Sequence, residues 1–283
     1  MKLVKTIEEM RAFRKATRKK SKRLGLVPTM GALHEGHLSL ARAARDKSDI
    51  VAVSIFVNPT QFGPQEDFAK YPRNLAGDSA LLEREQVEVI FAPSVEDMYP
   101  AGAVTWVTVE GMSDRLCGRS RPGHFRGVTT VVSKLFHIIE PDSAFFGQKD
   151  AAQVAIIRRM VRDLNMPVSV EVCPIIRESD GLALSSRNAY LNPGERKSAL
   201  VLHRSLQCAQ ELFDHGERES AKLTAAGKKE FTKEPSARLD YFDVVDPDSL
   251  ESIRVISKRA LIAVAAFVGN TRLIDNIVVN PEP

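Results

Sequence analysis

Two histidines three positions apart follow a short apolar run near the N-terminus. Leu24–Val27 is apolar, Pro28 ends the run, and His34 and His37 lie where a helical pattern begins. Side chains at positions i and i+3 project from nearly the same side of a helix. The start of a helix also offers unpaired backbone N–H groups and the positive end of the helix dipole. The stretch therefore predicts a strand, a tight loop and a helix that hold a nucleotide phosphate.

Two other interpretations of this histidine pair stay open. Both histidines could have a structural role, with their hydrogen bonds made inside the fold, or the pair could bind a metal. A metal site is less favoured, because the H-E-x-x-H spacing is absent and no further ligands are evident. Neither G-x-x-x-x-G-K-[ST] nor G-x-G-x-x-G follows the strand, so the loop is not one of the two common phosphate-binding types.

Two more polar segments follow predicted strands. The segment 58–61 comes after an apolar, β-branched run at residues 49–57, and the segment 147–150 comes after a short apolar run at residues 143–146. Ligands of doubly wound sheets bind beyond the carboxyl ends of the strands, near the point where the strand order reverses. The sequence therefore predicts that these segments and the histidine loop form one site.

The elements that would position these residues alternate between strand and helix along the first part of the chain. This alternation predicts an α/β fold with a Rossmann-like, doubly wound parallel sheet. Thr6 is a predicted cap of the first helix. The predicted helices are residues 6–16, 36–47, 74–86, 127–139 and 150–164, and the predicted strands are 24–27, 49–57, 87–92, 104–110, 143–146 and 168–173.

The pattern changes after residue 173. A polar loop at residues 181–188 precedes a long helix that begins at Asn192-Pro193, a second helix at 220–233, and three strands at 239–245, 260–268 and 272–278. We expect residues 1–174 to form the ligand-binding domain. Residues 175–283 are expected to form a smaller α+β C-terminal lid domain.

Composition excludes several classes of protein. The 283 residues are 43% hydrophobic and 27% charged, which is ordinary for a globular protein, and no apolar run is long enough to span a bilayer. Three separated cysteines suggest neither a disulfide framework nor a metal site. The net charge of +4 is concentrated at residues 11–23, where no aromatic residue interrupts the basic side chains from Arg14 to Arg23. A solvated helix face is favoured there over a nucleic-acid patch. We expect a cytoplasmic protein that binds neither nucleic acid nor membrane.

Four motifs, in order, resemble those of the pantothenate synthetase (pantoate–β-alanine ligase) family, within the H-x-G-H superfamily that includes class I aminoacyl-tRNA synthetases. They are residues 28–37 (Pro-Thr-Met-Gly-Ala-Leu-His-Glu-Gly-His), 121–125 (Arg-Pro-Gly-His-Phe), 147–150 (Gly-Gln-Lys-Asp) and 184–188 (Leu-Ser-Ser-Arg-Asn). The resemblance implies a Rossmann-like fold and a ligase. It would join (R)-pantoate to β-alanine and release AMP and pyrophosphate through a pantoyl adenylate.

The same resemblance implies a set of site residues. Expected to be catalytic are His37, Lys149 and Arg187, and the residues expected to bind ATP are Met30, Gly31, Ala32, Leu33, His34, Glu35, Gly36, His37, Gly147, Gln148, Lys149, Asp150, Ile176, Leu184, Ser185, Ser186 and Arg187. Gln61 and Gln153 are expected to bind pantoate or β-alanine, because neutral amides bind hydroxyl and carboxylate oxygens without trapping a reacting carboxylate in a salt bridge.

Mg²⁺ is expected as the counterion of the ATP phosphates. Asp78 is a candidate ligand for it, with a plain helix-surface residue as the alternative. Relatives imply a homodimer. A nucleotidyltransferase of the same superfamily is the alternative function, because it would use the same loop at residues 30–37, although it would not explain Gln61, Gln153 and the segment 121–125 together.

Overall fold

The computed structural model describes residues 1–64 and 66–281. The contacts between residues divide the chain into two compact units, here called the first and the second unit. The first unit comprises residues 1–113, 121–147 and 156–174, and the second comprises 114–120, 148–155 and 175–283. The predicted division at residues 174 and 175 into separate domains stays a prediction, because packing alone does not test independent folding.

The first unit is built on a six-stranded sheet in which every neighbouring pair is parallel, in the order β1-β4-β3-β2-β5-β6. This confirms the predicted doubly wound sheet. The strands are β1 Lys2–Val4, β2 Leu24–Thr29, β3 Ile50–Ile55, β4 Val89–Phe91, β5 Ser143–Gly147 and β6 Ser169–Cys173. From β2 the chain adds β3 and β4 on one side and β5 and β6 on the other, so the strand order reverses between β2 and β5.

Helices connect the parallel strands, as crossovers in such a sheet require. Thr6 caps the first helix through a reciprocal capping box with Glu9, as the sequence predicts. In the described residues the helices are α1 Ile7–Arg18, α2 Glu35–Lys47, α3 Leu75–Arg84, α4 Val95–Met98, α5 Cys117–Ser120, α6 His124–Ile139, α7 Ala151–Asp163, α8 Pro193–Ser198, α9 Leu200–Asp214 and α10 Ser220–Thr232.

The core beneath α2 explains why this helix lies where it does. Leu38, Ala41 and Ala44 recur on one face of α2 and are buried against Val27 of β2 and Val53 of β3. The two strands are in register, with Thr29 opposite Ile55. Both carboxyl ends therefore open onto the same edge of the sheet, next to the reversal of strand order.

One sequence expectation for the first unit was wrong. Residues 104–110 form no strand, because the backbone of Val107 bonds to the hydroxyls of Thr129 and Thr130 on α6 instead of to a neighbouring strand. The basic stretch at residues 11–23 is mostly solvated, as expected, with Arg14 as the exception among its basic side chains. Arg14 is buried and donates hydrogen bonds to the backbone oxygens of Lys22 and Glu140 and to the Asp142 carboxylate.

The second unit contains an antiparallel sheet in the order β7-β8-β9, as predicted. Its strands are β7 Ala237–Val245, β8 Ala260–Val268 and β9 Thr271–Val279. Leu202 and Leu206 of α9 and Leu223 of α10 share one apolar core with Phe242 and Val264. The predicted long helix after Asn192 is two helices, since α8 ends at Ser198 and α9 begins at Leu200.

Candidate active site

The loop after β2 makes a left-handed turn before α2. The Thr29 hydroxyl donates to the carbonyl oxygen of Ser54 at 2.7 Å and accepts from the Gly31 N–H at 3.2 Å. The backbone then passes through positive φ angles at Gly31 (+84°) and Ala32 (+52°). Glycine takes such a conformation readily, whereas alanine does so only under constraint. The turn lets α2 begin just beyond the carboxyl end of β2.

The two histidines form the cap of α2. The Gly36 N–H donates to Nδ1 of His34 at 3.2 Å, and the His34 N–H donates to Nδ1 of His37 at 3.4 Å. Their rings lie 4.1 Å apart, in agreement with the i, i+3 spacing. Because Nδ1 of each ring accepts a backbone proton, each neutral ring carries its own proton on Nε2. The pair therefore presents Nε2–H donors from the positive end of a helix.

Asp78 is not the helix-surface residue that the alternative expectation described. It is 4% exposed, and its carboxylate accepts hydrogen bonds from the backbone N–H groups of Ala32 and Leu33, at 3.0 and 2.8 Å. Asp78 lies on α3, but through these hydrogen bonds it supports the loop after β2.

Gln61 lies beside this loop. Its Nε2 is 2.9 Å from Sδ of Met30, and its Oε1 accepts from Nδ2 of Asn58 at 3.1 Å. Asn58 is 1% exposed and donates also to the carbonyl oxygen of Gly127 at 3.1 Å. The structure therefore brings together Met30 and Gln61, which the sequence assigned to nucleotide and acid binding. Sequence reasoning did not single out Asn58, whose place between a strand and Pro59 is the only local signal.

Helix α6 passes unusually close to the Gln61 segment. A Cβ atom added to Gly127 would lie 2.3 Å from the carbonyl oxygen of Thr60, which is closer than real contacts allow. Residue 127 must therefore be glycine if the 3₁₀ turn Pro59–Gln61 is to lie against α6.

The N-terminal end of α6 holds the backbone of Gln61 as well. Nδ1 of His124 lies 2.8 Å from the Gln61 carbonyl oxygen, and Nη2 of Arg121 donates to the same oxygen at 3.2 Å. Arg121 also makes a two-point ion pair with Glu66, at 2.7 and 2.5 Å. Burial alone would raise the pKa of Glu66, but the hydrogen bonds and charge of Arg121 outweigh it and hold that pKa below its ordinary value. The sequence marked this segment only as a family motif, without a structural role.

Most of the remaining predicted ATP residues lie in the second unit, whereas Gly147 ends strand β5 in the first. Nδ2 of Asn276 on β9 donates to the carbonyl oxygens of Gln148 and Lys149, at 3.0 and 2.9 Å, and Nε2 of Gln148 donates to Oδ1 of Asn276 at 2.9 Å. The Lys149 ammonium lies 3.3 Å from the Asp150 carboxylate. Asn276 therefore fixes the backbone from which Lys149 projects. Gln153 lies two residues after the start of α7 and is partly exposed.

An ion pair anchors the segment that leads to Ser186 and Arg187. Arg177 pairs at two points with the buried carboxylate of Asp275, at 2.6 and 2.9 Å, and donates to the Gly181 carbonyl oxygen at 3.0 Å. The carbonyl oxygen of Ile176 accepts from the Leu184 N–H at 3.0 Å. The segment 176–184 is thus a closed hairpin-like loop.

The predicted phosphate residues follow this loop as a 3₁₀ turn, Ser186–Tyr190. The Ser185 hydroxyl caps the turn by accepting from the Arg187 N–H at 3.3 Å. Asn188 donates from Nδ2 to the Glu178 carboxylate and to the Ala183 carbonyl oxygen. Caps and side-chain bonds therefore order Ser185, Ser186 and Arg187.

Neither a metal centre nor a membrane span is evident within residues 1–64 and 66–281. No group of three or more His, Cys, Asp or Glu side chains there is placed to hold a metal ion, and no helix there has the length and apolar character needed to cross a membrane.

The strand order of the parallel sheet reverses next to the loop that leads into the histidine-capped helix α2, and α/β folds of this class bind ligands beyond the carboxyl ends of their strands. The family model for pantoate–beta-alanine ligase matches residues 2–278. The chain belongs to the pantoate–beta-alanine ligase family, and it is a ligase.

Relatives and solved structures agree with this assignment. The chain is 60% identical to the pantothenate synthetase of Koribacter versatilis over 278 residues, which cover 98% of this chain and 96% of the relative. It is similar to the crystal structure of pantothenate synthetase from Thermus thermophilus, with a TM-score of 0.94 and 46% identity over 99% of this chain and all of that one. A pantoate–beta-alanine ligase from Francisella tularensis, complexed with beta-gamma ATP and beta-alanine, has a TM-score of 0.80 and 34% identity over 98% of this chain and 97% of that one.

Proposed function

We propose that this ligase condenses (R)-pantoate with β-alanine in two steps at the expense of ATP. A pantoate carboxylate oxygen attacks the α-phosphorus, the bond from that phosphorus to the β-phosphate oxygen breaks, and pyrophosphate leaves. The β-alanine amine then attacks the acyl carbon of the pantoyl adenylate, AMP leaves, and the amine loses a proton. Family membership favours this reaction over the nucleotidyltransferase alternative.

The observation that best supports adenylation is the 2.9 Å contact between Gln61 Nε2 and Met30 Sδ. Acyl adenylation requires a bound acid and a bound α-phosphate to meet within contact distance. Gln61 is the amide assigned to the acid, and Met30 begins the loop assigned to the nucleotide. With Gln153 assigned to the same acid, the neutral amides would orient pantoate without lowering the nucleophilicity of its carboxylate.

Charge neutralisation would be the second contribution of the chain. We assign the Nε2–H donors of His34 and His37 to ATP phosphate oxygens, together with the N–H groups at the start of α2. His37 is also assigned the proton donor role. Lys149 would bind phosphate as a point charge, and Ser185, Ser186 and Arg187 would stabilise the departing pyrophosphate. Further nucleotide contacts would come from Ala32, Leu33, Glu35, Gly36, Gly147, Gln148, Asp150, Ile176 and Leu184.

Mg²⁺ would enter bound to ATP and neutralise its phosphate oxygens. Asp78 fits a ligand role poorly, because both of its oxygens already accept backbone N–H groups. We therefore expect phosphate oxygens and waters to hold most of the metal. Because the reaction consumes ATP, we also propose that the protein works in the cytoplasm.

A homodimer through the first unit is part of the proposal. Val104 is 83% exposed and Trp106 is 40% exposed, in the stretch whose alternating pattern predicts a strand. A second copy that covers this stretch would bury both side chains. Light scattering should report twice the chain mass for the wild type and a shift toward monomer for Val104→Lys. A monomeric wild type at micromolar concentration would exclude this dimer.

The reaction itself is tested by ATP–pyrophosphate exchange with Mg²⁺ and without β-alanine. We expect labelled pyrophosphate to enter ATP only when pantoate is present. Lys149→Met should reduce the exchange rate while the far-ultraviolet circular dichroism spectrum stays unchanged. Exchange without pantoate, or none in a folded sample that binds ATP, would contradict the adenylate mechanism.

A further inference from the structure

The turn at residues 30–33, here called the β2–α2 turn, contains a conformation that its sequence does not favour. Ala32 has a φ of +52°, and a side chain in this left-handed region crowds the neighbouring carbonyl oxygen. Such strain persists where the surrounding structure holds it in place. The β2–α2 turn leads directly into the histidine cap of α2, so whatever holds the turn also sets the position of both imidazoles.

Asp78 makes the contacts that can hold this turn. Its Oδ2 accepts from the Ala32 N–H at 3.0 Å, and its Oδ1 accepts from the Leu33 N–H at 2.8 Å. The two oxygens thus bind consecutive amides on either side of the strained residue. At 4% exposure the carboxylate has little competing water, and bonds to a charged acceptor are stronger than neutral ones.

The carboxylate is itself held in place by its helix. Asn74 caps α3 by accepting from the Gly77 N–H at 3.0 Å, and the Asp78 N–H donates to the Asn74 carbonyl oxygen at 2.9 Å. A Cβ atom at Gly31 would approach Oδ2 of Asp78 to 3.0 Å, so the turn closes around the carboxylate. Asp78, in the first turn of α3, therefore contacts Ala32, which lies 46 positions earlier in the chain.

We propose that Asp78 is a positioning residue for adenylation. Its carboxylate locks the β2–α2 turn, and through the turn it aims the His34 and His37 rings and the N-terminal N–H groups of α2 at the ATP phosphates. This inference rests on the proposed function. It replaces the metal-ligand hypothesis, because moving the carboxylate to within about 2.1 Å of a metal would release the Ala32 and Leu33 amides.

The test compares Asp78→Asn, Ala32→Gly and the double variant by pantoate-dependent ATP–pyrophosphate exchange. Asparagine keeps one acceptor oxygen but turns an NH₂ group toward a backbone N–H. We expect Asp78→Asn to slow exchange roughly ten-fold or more and to raise the KM of ATP more than that of pantoate. Glycine adopts positive φ without side-chain crowding. The loss of exchange rate caused by Asp78→Asn should therefore be several-fold smaller when the substitution is made in Ala32→Gly than when it is made in the wild type.

Two other roles for Asp78 give different results. A metal ligand would raise the Mg²⁺ concentration for half-maximal exchange in Asp78→Asn, and Ala32→Gly would restore nothing. A residue that only supports the fold would lower the unfolding temperature with both KM values unchanged. Either pattern overturns the proposal.

Hydrogen exchange of the wild-type protein tests the lock without relying on any variant to fold. The Ala32 and Leu33 amides should exchange slowly, because a buried carboxylate accepts both. Fast exchange at both positions would refute the lock even if the enzyme is active. A wild type without pantoate-dependent exchange would instead contradict the proposed function, while the amide protection would still report on the lock.

Discussion

His124 holds the backbone of Gln61 rather than its side chain. Nδ1 of His124 lies 2.8 Å from the Gln61 carbonyl oxygen, so this nitrogen carries the proton. Nε2 of His124 then accepts from Nη1 of Arg121 at 3.0 Å, while Nη2 of Arg121 reaches the same carbonyl oxygen. Two donors from one helix start thus fix the main chain and leave the Gln61 amide beside Met30.

Arg121→Lys should weaken pantoate binding. Lysine keeps the charge but cannot bind Glu66 at two points and donate to Gln61 at the same time. We expect the KM of pantoate to rise about ten-fold, with the KM of ATP within a factor of about two. Arg84→Lys, on the exposed face of α3, is the matched control. Equal changes in both KM values would show that Arg121 does not act through Gln61.

Two substitutions at His37 separate its capping role from its chemical role. Asparagine can place an oxygen near Nδ1 and keep the bond from the His34 N–H, whereas glutamine reaches toward Nε2. If Nε2–H acts on the phosphates, His37→Asn should lower the adenylation rate by roughly 10² while the protein stays folded. His37→Gln should retain more of that rate. The reverse order, measured by pyrophosphate exchange, would assign His37 to the helix cap alone.

Gln153→Ala should affect pantoate more than ATP. An amide that binds a neutral or anionic oxygen of the acid contributes roughly 1 kcal/mol, which corresponds to about five-fold in KM. Gln207→Ala removes an exposed glutamine from α9 and should leave both constants unchanged. Steady-state kinetics with each substrate varied in turn gives the comparison. Parallel losses for ATP and pantoate would remove Gln153 from the acid site.

His203 should make the stability of the protein sensitive to mild acid. Nδ1 of His203 is shielded from solvent and has no hydrogen-bond partner among the described residues. Burial, and then the nearby charge of Arg177, lower the pKa of His203 below 6.5, against the opposing charges of Asp275 and Asp180. The fold therefore favours the neutral ring. Stability is fully present above the unfolded pKa and decreases as pH falls from about 6.5 toward the folded pKa.

The measurement is urea unfolding at about pH 7.5 and about pH 5.5, on either side of the ordinary histidine pKa, for the wild type and His203→Asn. The free energy of unfolding should fall less between these pH values in the variant, because it lacks the group that must charge. His215→Asn removes an exposed histidine and should keep the wild-type difference. An identical pH dependence in His203→Asn would disprove the assignment.

The sequence predicted the parallel sheet well because long β-branched runs such as 49–57 are buried on both faces whatever their partners are. The alternation of apolar and polar residues at 104–110 predicted a strand wrongly, because a strand also needs a neighbouring strand to pair with. The Val107 backbone bonds to threonine hydroxyls instead. Strand β1 escaped notice because its three residues, Lys2–Val4, show no periodicity.

The predicted loops contained recognisable motifs, but the contacts that hold them join distant parts of the chain. Asp78 reaches the β2–α2 turn from another helix, and Asn276 reaches the backbone of Gln148 and Lys149 from the last strand. A local pattern carries no information about such pairs. The same holds for Asn58, which looks like an ordinary turn residue until Gly127 is seen beside it.

Gly127 and Gly147 should differ in how well they tolerate substitution under random mutagenesis. Replacement of Gly127 would push the Thr60 carbonyl away, so every other amino acid there should be lost by misfolding. A Cβ atom at Gly147 would meet no heavy atom within 4 Å among the described residues, so alanine should fold there normally. If selection for growth still rejects alanine at 147, the constraint comes from the nucleotide and not from the chain. Mutational tolerance would thus distinguish space that the protein fills from space reserved for its substrate.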